Sequence, residues 1–114
     1  MAELSLSDLG DEYNTLGDIA HARSGDKGDS VNIGIIARKP EWYPILQELI
    51  TKEWMREAWG EFCEGNIHIF EVPGIFAINC ILEKTLQGGG TVSLRTDAQG
   101  KSMGQATLTL PLRQ

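Results

Sequence analysis

Cysteine is scarce in this sequence, with only Cys63 and Cys80 among 114 residues. Two thiols are too few for a disulfide scaffold and too few to hold an iron–sulfur cluster through protein ligands alone. Basic residues are also in deficit: ten Lys and Arg stand against sixteen Asp and Glu, giving a formal charge of −6. General nucleic-acid binding needs a basic face to neutralise phosphates, so that class is excluded. No apolar run approaches the ~20 residues of a membrane span. The first residues carry neither a basic n-region nor an apolar h-region, which predicts a chain without a secretory leader. Together these absences predict a soluble, cytoplasmic protein. Its length fits one domain within the usual range of about 100–200 residues.

The negative charge is unevenly spread. Residues 1–22 hold five acids and no Lys or Arg, whereas residues 23–40 hold Arg23, Lys27, Arg38 and Lys39 against only Asp26 and Asp29. Residues 1–15 are expected to form an acidic extension, and residues 16–114 the folded domain.

Alternation and turn chemistry suggest the elements. Leu16 to Arg23 reads as a strand, and Ser24 to Ser30 as a loop, because Gly and Asp favour turn conformations. In Val31 to Ala37, Val31, Ile33 and Ile35 share one face, while Asn32, Gly34 and Ile36 share the other. That is a strand with one core face and one face where Gly34 permits close approach. Pro40 and Pro44 suit a first helical turn, and Thr51 is the expected N-cap of a second helical stretch. Trp42 and Trp54 fit the core face of this region, with Trp59 projecting outward as a subunit contact. Asn66 to Val72 reads as a strand. Ile75 to Leu86 reads as a helix with Ile75, Ile78, Leu82 and Leu86 as its stripe, ended by Gly88-Gly89-Gly90. Thr91 to Thr96 and Met103 to Leu110 alternate like strands, joined by a turn over Asp97 to Gly100. The expected fold is α+β: a two-layer sandwich with two helical segments packed on a sheet of about five strands.

The run from His21 to Asn32 carries the chemistry. Its glycines let backbone N–H groups converge into an anion-binding concavity. Arg23 can fork onto a carboxylate or phosphate, and Lys27 adds a point charge. Ser24, Gly25, Asp26, Gly28, Asp29 and Asn32 complete the candidate ligand-binding loop. The glycine spacing is not that of a P-loop, and the bland alternative is a solvated hairpin. Asn79 is a second candidate, because an unsatisfied amide in an apolar element is costly. Arg95 and Lys101 flank a later turn and would add positive charge if the ends meet. No catalytic residue is assigned; His21 is a candidate acid or base because an imidazole is the side-chain type suited to proton transfer at physiological pH. No metal site is expected: Asp18, Asp26 and Asp29 lack the EF-hand register, and His21 and His68 have no partner at zinc spacing. No cofactor is expected either.

Three blocks carry a resemblance. His21-Ala-Arg-Ser-Gly-Asp-Lys-Gly-Asp-Ser-x-Asn-Ile-Gly34, Pro73-Gly-Ile-x-Ala-x-Asn79, and Gly88-Gly-Gly90 with Ser93-Leu-Arg-x-Asp-x-Gln-Gly-Lys101 resemble the AtuA-like ferredoxin-fold domain. In that family the domain is the C-terminal part of acyclic terpene utilisation protein AtuA or a separate small protein. The resemblance implies a ferredoxin-like fold, a large AtuA-type partner subunit, an oligomeric assembly, and a pathway of branched or terpenoid acyl-CoA compounds. The fold name implies no cluster. Two functions follow from it. One is the small subunit of a two-component acyl-CoA hydratase or lyase, contributing an anion-binding loop for a carboxylate or acyl-CoA ligand. The other is a non-catalytic assembly or ligand-binding module that docks the large partner.

Overall fold

The computed structural model describes residues 4–27, 29–60, 63–84 and 99–113. Four strands and three helices follow in the order β1 (Ala20–Lys27), β2 (Ser30–Ala37), α1 (Tyr43–Leu49), α2 (Lys52–Trp59), β3 (Ile67–Val72), β4 (Ala77–Leu82) and α3 (Gln99–Thr107). The strands make one antiparallel sheet in the order β1-β2-β4-β3. All three helices lie on one face of it, α3 over β1 and β2, and α1 and α2 over the rest. From β2 onward the path is β-α-β-β-α, and β1 occupies the sheet position that a strand after the second helix would take in the βαββαβ order. The fold is therefore α+β and ferredoxin-like, with its last strand supplied from the front of the chain.

Alternation in β2 fixes the layers. Val31, Ile33 and Ile35 are fully buried under the helices, beside Leu82, Cys80 and Ile78 of β4 in register. Ile45, Leu46, Met55 and Met103 meet them from the helical layer. The two-helix region is built as expected: Pro44 lies in the first turn of α1, and the Thr51 hydroxyl caps α2 by accepting the Trp54 N–H at 3.0 Å. At the end of α2, Arg56 donates to the carbonyls of Cys63 and Gly65 at 2.8 and 2.7 Å, fixing the entry to β3.

Several sequence expectations are corrected. The stretch read as a helix from Ile75 is the strand β4, entered through a short 3-10 turn at Pro73–Ile75. The stretch read as a strand from Met103 is mostly the helix α3. Ser24 to Lys27 is not loop but the second half of β1, each residue paired with β2 up to Lys27 opposite Ser30. Strand pairing here overrides the weak local preference of Gly and Asp for turns. Among the described residues the sheet has four strands, not five; the expected strand Thr91–Thr96 and the glycines Gly88 to Gly90 lie outside those residues. Trp59 does not project outward: its indole N–H donates to Thr107 Oγ1 at 3.2 Å, and that hydroxyl donates to the Met103 carbonyl at 2.7 Å.

Residues 4–13 pack against the body instead of trailing from it. Leu9 is buried, and Tyr13 sets its ring edge-on to Trp42 with centroids 5.3 Å apart. Arg113, near the other end of the described chain, gathers the carbonyls of Leu9 at 2.8 Å and Tyr13 at 3.1 Å. No helix among the described residues is long and apolar enough to cross a membrane.

Candidate functional site

Helices cover one face of the sheet, so the side chains that alternate away from the core line the other. The register arranges them in rows across the strands. His21, Ile36, Ala77 and Val72 form one row; Arg23, Gly34, Asn79 and Phe70 form the next; Gly25, Asn32, Ile81 and His68 form the third. None of these residues is acidic, in a chain with sixteen Asp and Glu.

A cavity of about 540 Å³ opens on this face. Arg23, Asn32 and Asn79 supply its polar groups, and Gly25 and Gly34 form its floor between them. Ile36, Val72 and Ile75 make its apolar side. A few convergent polar groups beside an apolar wall are the usual make-up of a small-molecule site. The hairpin from β3 to β4 brings in Ile75, which is 57% exposed, and turns through Phe76 in the left-handed region at φ 55°. Phe76 is held there by an edge-on contact with the Tyr43 ring, centroids 6.1 Å apart.

The structure brings Arg23, Gly25, Asn32 and Asn79 together on one face, although the sequence reading set the first two in and around a loop and Asn79 on a helix. Ser24 borders the cavity, but its hydroxyl accepts the Gly104 N–H at 2.8 Å and so joins β1 to α3. His21 shares the face outside the cavity lining, its Nε2 lying 3.4 Å from Arg38 Nη1. Arg38 in turn donates through Nε to the Gly17 carbonyl at 3.0 Å. Asp29 is exposed at the turn between β1 and β2. Asp26 and Lys27 belong to β1, and Lys101 to α3, with side chains outside the described part; Gly28 and Arg95 lie wholly outside it.

Other polar groups have local duties. Asp18 accepts the N–H groups of Asn14 and Thr15 at 2.8 and 3.0 Å. The Thr15 and Asn14 bonds, in that order, hold its carboxyl below the ordinary value. His68 Nε2 lies 3.1 Å from Glu83 Oε2, and its ring stacks on Phe70. Both cysteines are buried; Cys63 donates to the Glu83 carbonyl at 3.1 Å, and burial pushes the Cys80 thiol up to about 12. Among the described residues no group of three His, Cys, Asp or Glu could hold a metal ion.

Phe70 and Val72 on the open face, and Ile75 at the cavity, are exposed apolar residues that residue type alone does not mark. Alternation in β3 carried the signal for the first two, since Ile67 and Ile69 take the core face. Ile75 was hidden by its fit to a helical stripe.

Two of the three sequence blocks, 21–34 and 73–79, thus meet at one cavity, chiefly through the residues that alternate away from the core. The search of the curated proteins and that of the solved structures each found no match. The family model of the AtuA ferredoxin-like domain matches residues 14–113, which include all of β1 to α3 and both blocks of the open face. The chain, with its residues 4–13 as an addition docked on that unit, belongs to the AtuA ferredoxin-like domain family.

Proposed function

We propose that this domain is the small subunit of a two-component enzyme that processes branched or terpenoid acyl-CoA compounds, of hydratase or lyase type. It acts in the cytoplasm beside a large AtuA-type chain and holds the acyl end of the substrate on its open sheet face. The row Arg23–Gly34–Asn79 carries this reading: a guanidinium and a carboxamide flank a bare strand position next to an apolar wall. Such fixed donors favour an acyl oxygen that gains negative charge during reaction. The chemistry itself falls to groups of the large chain, because among the described residues no nucleophile and oriented base stand together on this face.

The test is reconstitution. The large chain purified alone should be slow, this chain should restore the rate, and Arg23→Ala should fail to restore it while still co-purifying. A large chain that works at full rate alone contradicts the proposal.

A second reading, a docking module without a catalytic contribution, is favoured by one observation. Phe70 (49% exposed), Val72 (38%), Ile75 (57%) and Phe76 (39%) cluster along β3 and its hairpin. Clustered exposed apolar side chains mark interaction surfaces. Under this reading Phe70→Ser abolishes co-purification and Arg23→Ala leaves the rate unchanged.

A further inference from the structure

Glycine inside a strand normally has one of a few causes: a bulge, a positive φ, another backbone close by, or a ligand that lies against the chain. Gly25 and Gly34 escape the first three. Both sit in unbroken register, Gly25 opposite Asn32 and Gly34 between Arg23 and Asn79. Neither has a positive φ. Among the described residues, a Cβ on Gly25 would meet nothing within 4 Å, and one on Gly34 would meet the Arg23 carbonyl and Asn79 Oδ1, each at an ordinary 3.8 Å. At two other positions glycine does answer to crowding: a Cβ on Gly104 would come within 2.5 Å of Ser24 Oγ, and one on Gly65 within 2.9 Å of Glu83. The two strand glycines both line the cavity, adjacent to Arg23, the one charged side chain of its lining among the described residues.

We propose that Gly25 and Gly34 are specificity-determining positions, whose bare backbone lets the planar acyl head of a short branched ligand lie flat on the sheet between Arg23, Asn32 and Asn79. This rests on the acyl-holding reading above and gives it a size and an orientation. The head must be thin, because it occupies the layer where neighbouring strand positions carry side chains. It must accept hydrogen bonds, because Arg23 only donates and no carboxylate lines the cavity among the described residues. Its body is apolar, filling the side made by Ile36, Val72 and Ile75. Free acids and acyl thioesters share this planar head, so the two sources need separate probes.

The experiment measures binding of 3-methylbutanoate and of 3-methylbutanoyl-CoA to the full chain by calorimetry, in wild type, Gly25→Ala, Gly34→Ala and Gly74→Ala. Gly74 serves as the control: a Cβ there also meets nothing within 4 Å, but it does not line the cavity. Wild type and Gly74→Ala are expected to bind alike. Gly34→Ala is expected to stay folded and to bind about tenfold more weakly or worse, a change of about 1.4 kcal/mol. Gly25→Ala gives a second reading of the same floor should Gly34→Ala fold poorly. Whichever probe binds wild type identifies the head as free carboxylate or thioester. Undiminished binding in both floor variants overturns the inference alone. Wild type that binds neither probe overturns the acyl-holding reading, and this one with it.

Discussion

Gly104→Ala and Ser24→Ala, singly and together, test how α3 is seated on β1. Gly104 brings the helix so close that its N–H reaches Ser24 Oγ at 2.8 Å. An added Cβ would stand 2.5 Å from that oxygen, 3.0 Å from Ser24 Cβ and 3.2 Å from the Ser24 backbone nitrogen. Rotating the hydroxyl away relieves the first contact, breaks the hydrogen bond and leaves the other two. Overpacking of this kind costs about 1–3 kcal/mol, and the lost bond about 1 kcal/mol. Replacing glycine inside a helix returns about 1 kcal/mol. The net loss is therefore about 1–3 kcal/mol, or roughly 4 °C of Tm for each kcal/mol in a domain of this size. Ser24→Ala should cost about 1 kcal/mol by itself. The double variant should fall short of the two losses added together, because the oxygen that clashes is also the one that accepts. Urea and thermal melts followed by circular dichroism read all four forms. Gly104→Ala as stable as wild type, or strictly additive losses, would refute this packing.

Three further outcomes follow from single groups. Cys80 keeps its proton up to about 12 in the folded chain against an ordinary 9.0, because burial disfavours the thiolate. Folding stability from this group is thus intact below pH 9, and it declines between pH 9 and about 12 at up to about 1.4 kcal/mol per pH unit. Burial and the charge of Glu71 raise Tyr43 as well, so its loss adds at the alkaline end. Denaturation midpoints across that range check the slope, and Cys80→Ala should flatten it. Arg113→Ala should free the carbonyls of Leu9, Gly10 and Tyr13, cost about 1–3 kcal/mol, and speed amide exchange in residues 4–13. Trp59→Phe should lose the bond to Thr107 and cost about 1 kcal/mol, without changing oligomeric state.

The layers of the fold were legible where period and chemistry agreed. Val31, Ile33 and Ile35 alternate without ambiguity, and Thr51 caps as its type suggests. Two elements exchanged identity because short apolar runs satisfy both periods. Ile75, Ile78 and Leu82 have helical spacing, yet Ile78, Cys80 and Leu82 have strand spacing. Pairing of β4 on both sides, with β2 and β3, decides for the strand. In Met103 to Leu110 the alternation of Ala106, Leu108 and Leu110 suggested a strand. The pair Met103 and Thr107, one helical turn apart and both buried, shows which face α3 uses.

The site was legible as a set of residues but not as a shape. Side-chain chemistry alone points to Arg23, Gly25, Asn32 and Asn79, while turn preference predicts a loop over Ser24 to Ser30. Reading His21, Arg23 and Gly25 as the outward half of an alternation, with Ala22 and Ser24 as the inward half, recovers the face. What no local pattern encodes is the register that sets Gly34 between Arg23 and Asn79. That depends on β4 arriving beside β2 from more than forty residues away.

The central claim is that the open sheet face, and not the turn between β1 and β2, receives an acyl ligand. Backbone amide shifts of the labelled full chain, titrated with 3-methylbutanoyl-CoA, test it most directly. The expected result is saturable shifts at Arg23, Gly25, Asn32, Gly34 and Asn79 that vanish in Arg23→Ala. Shifts confined to Asp29 and its neighbours in the turn, or none that saturate, would contradict it.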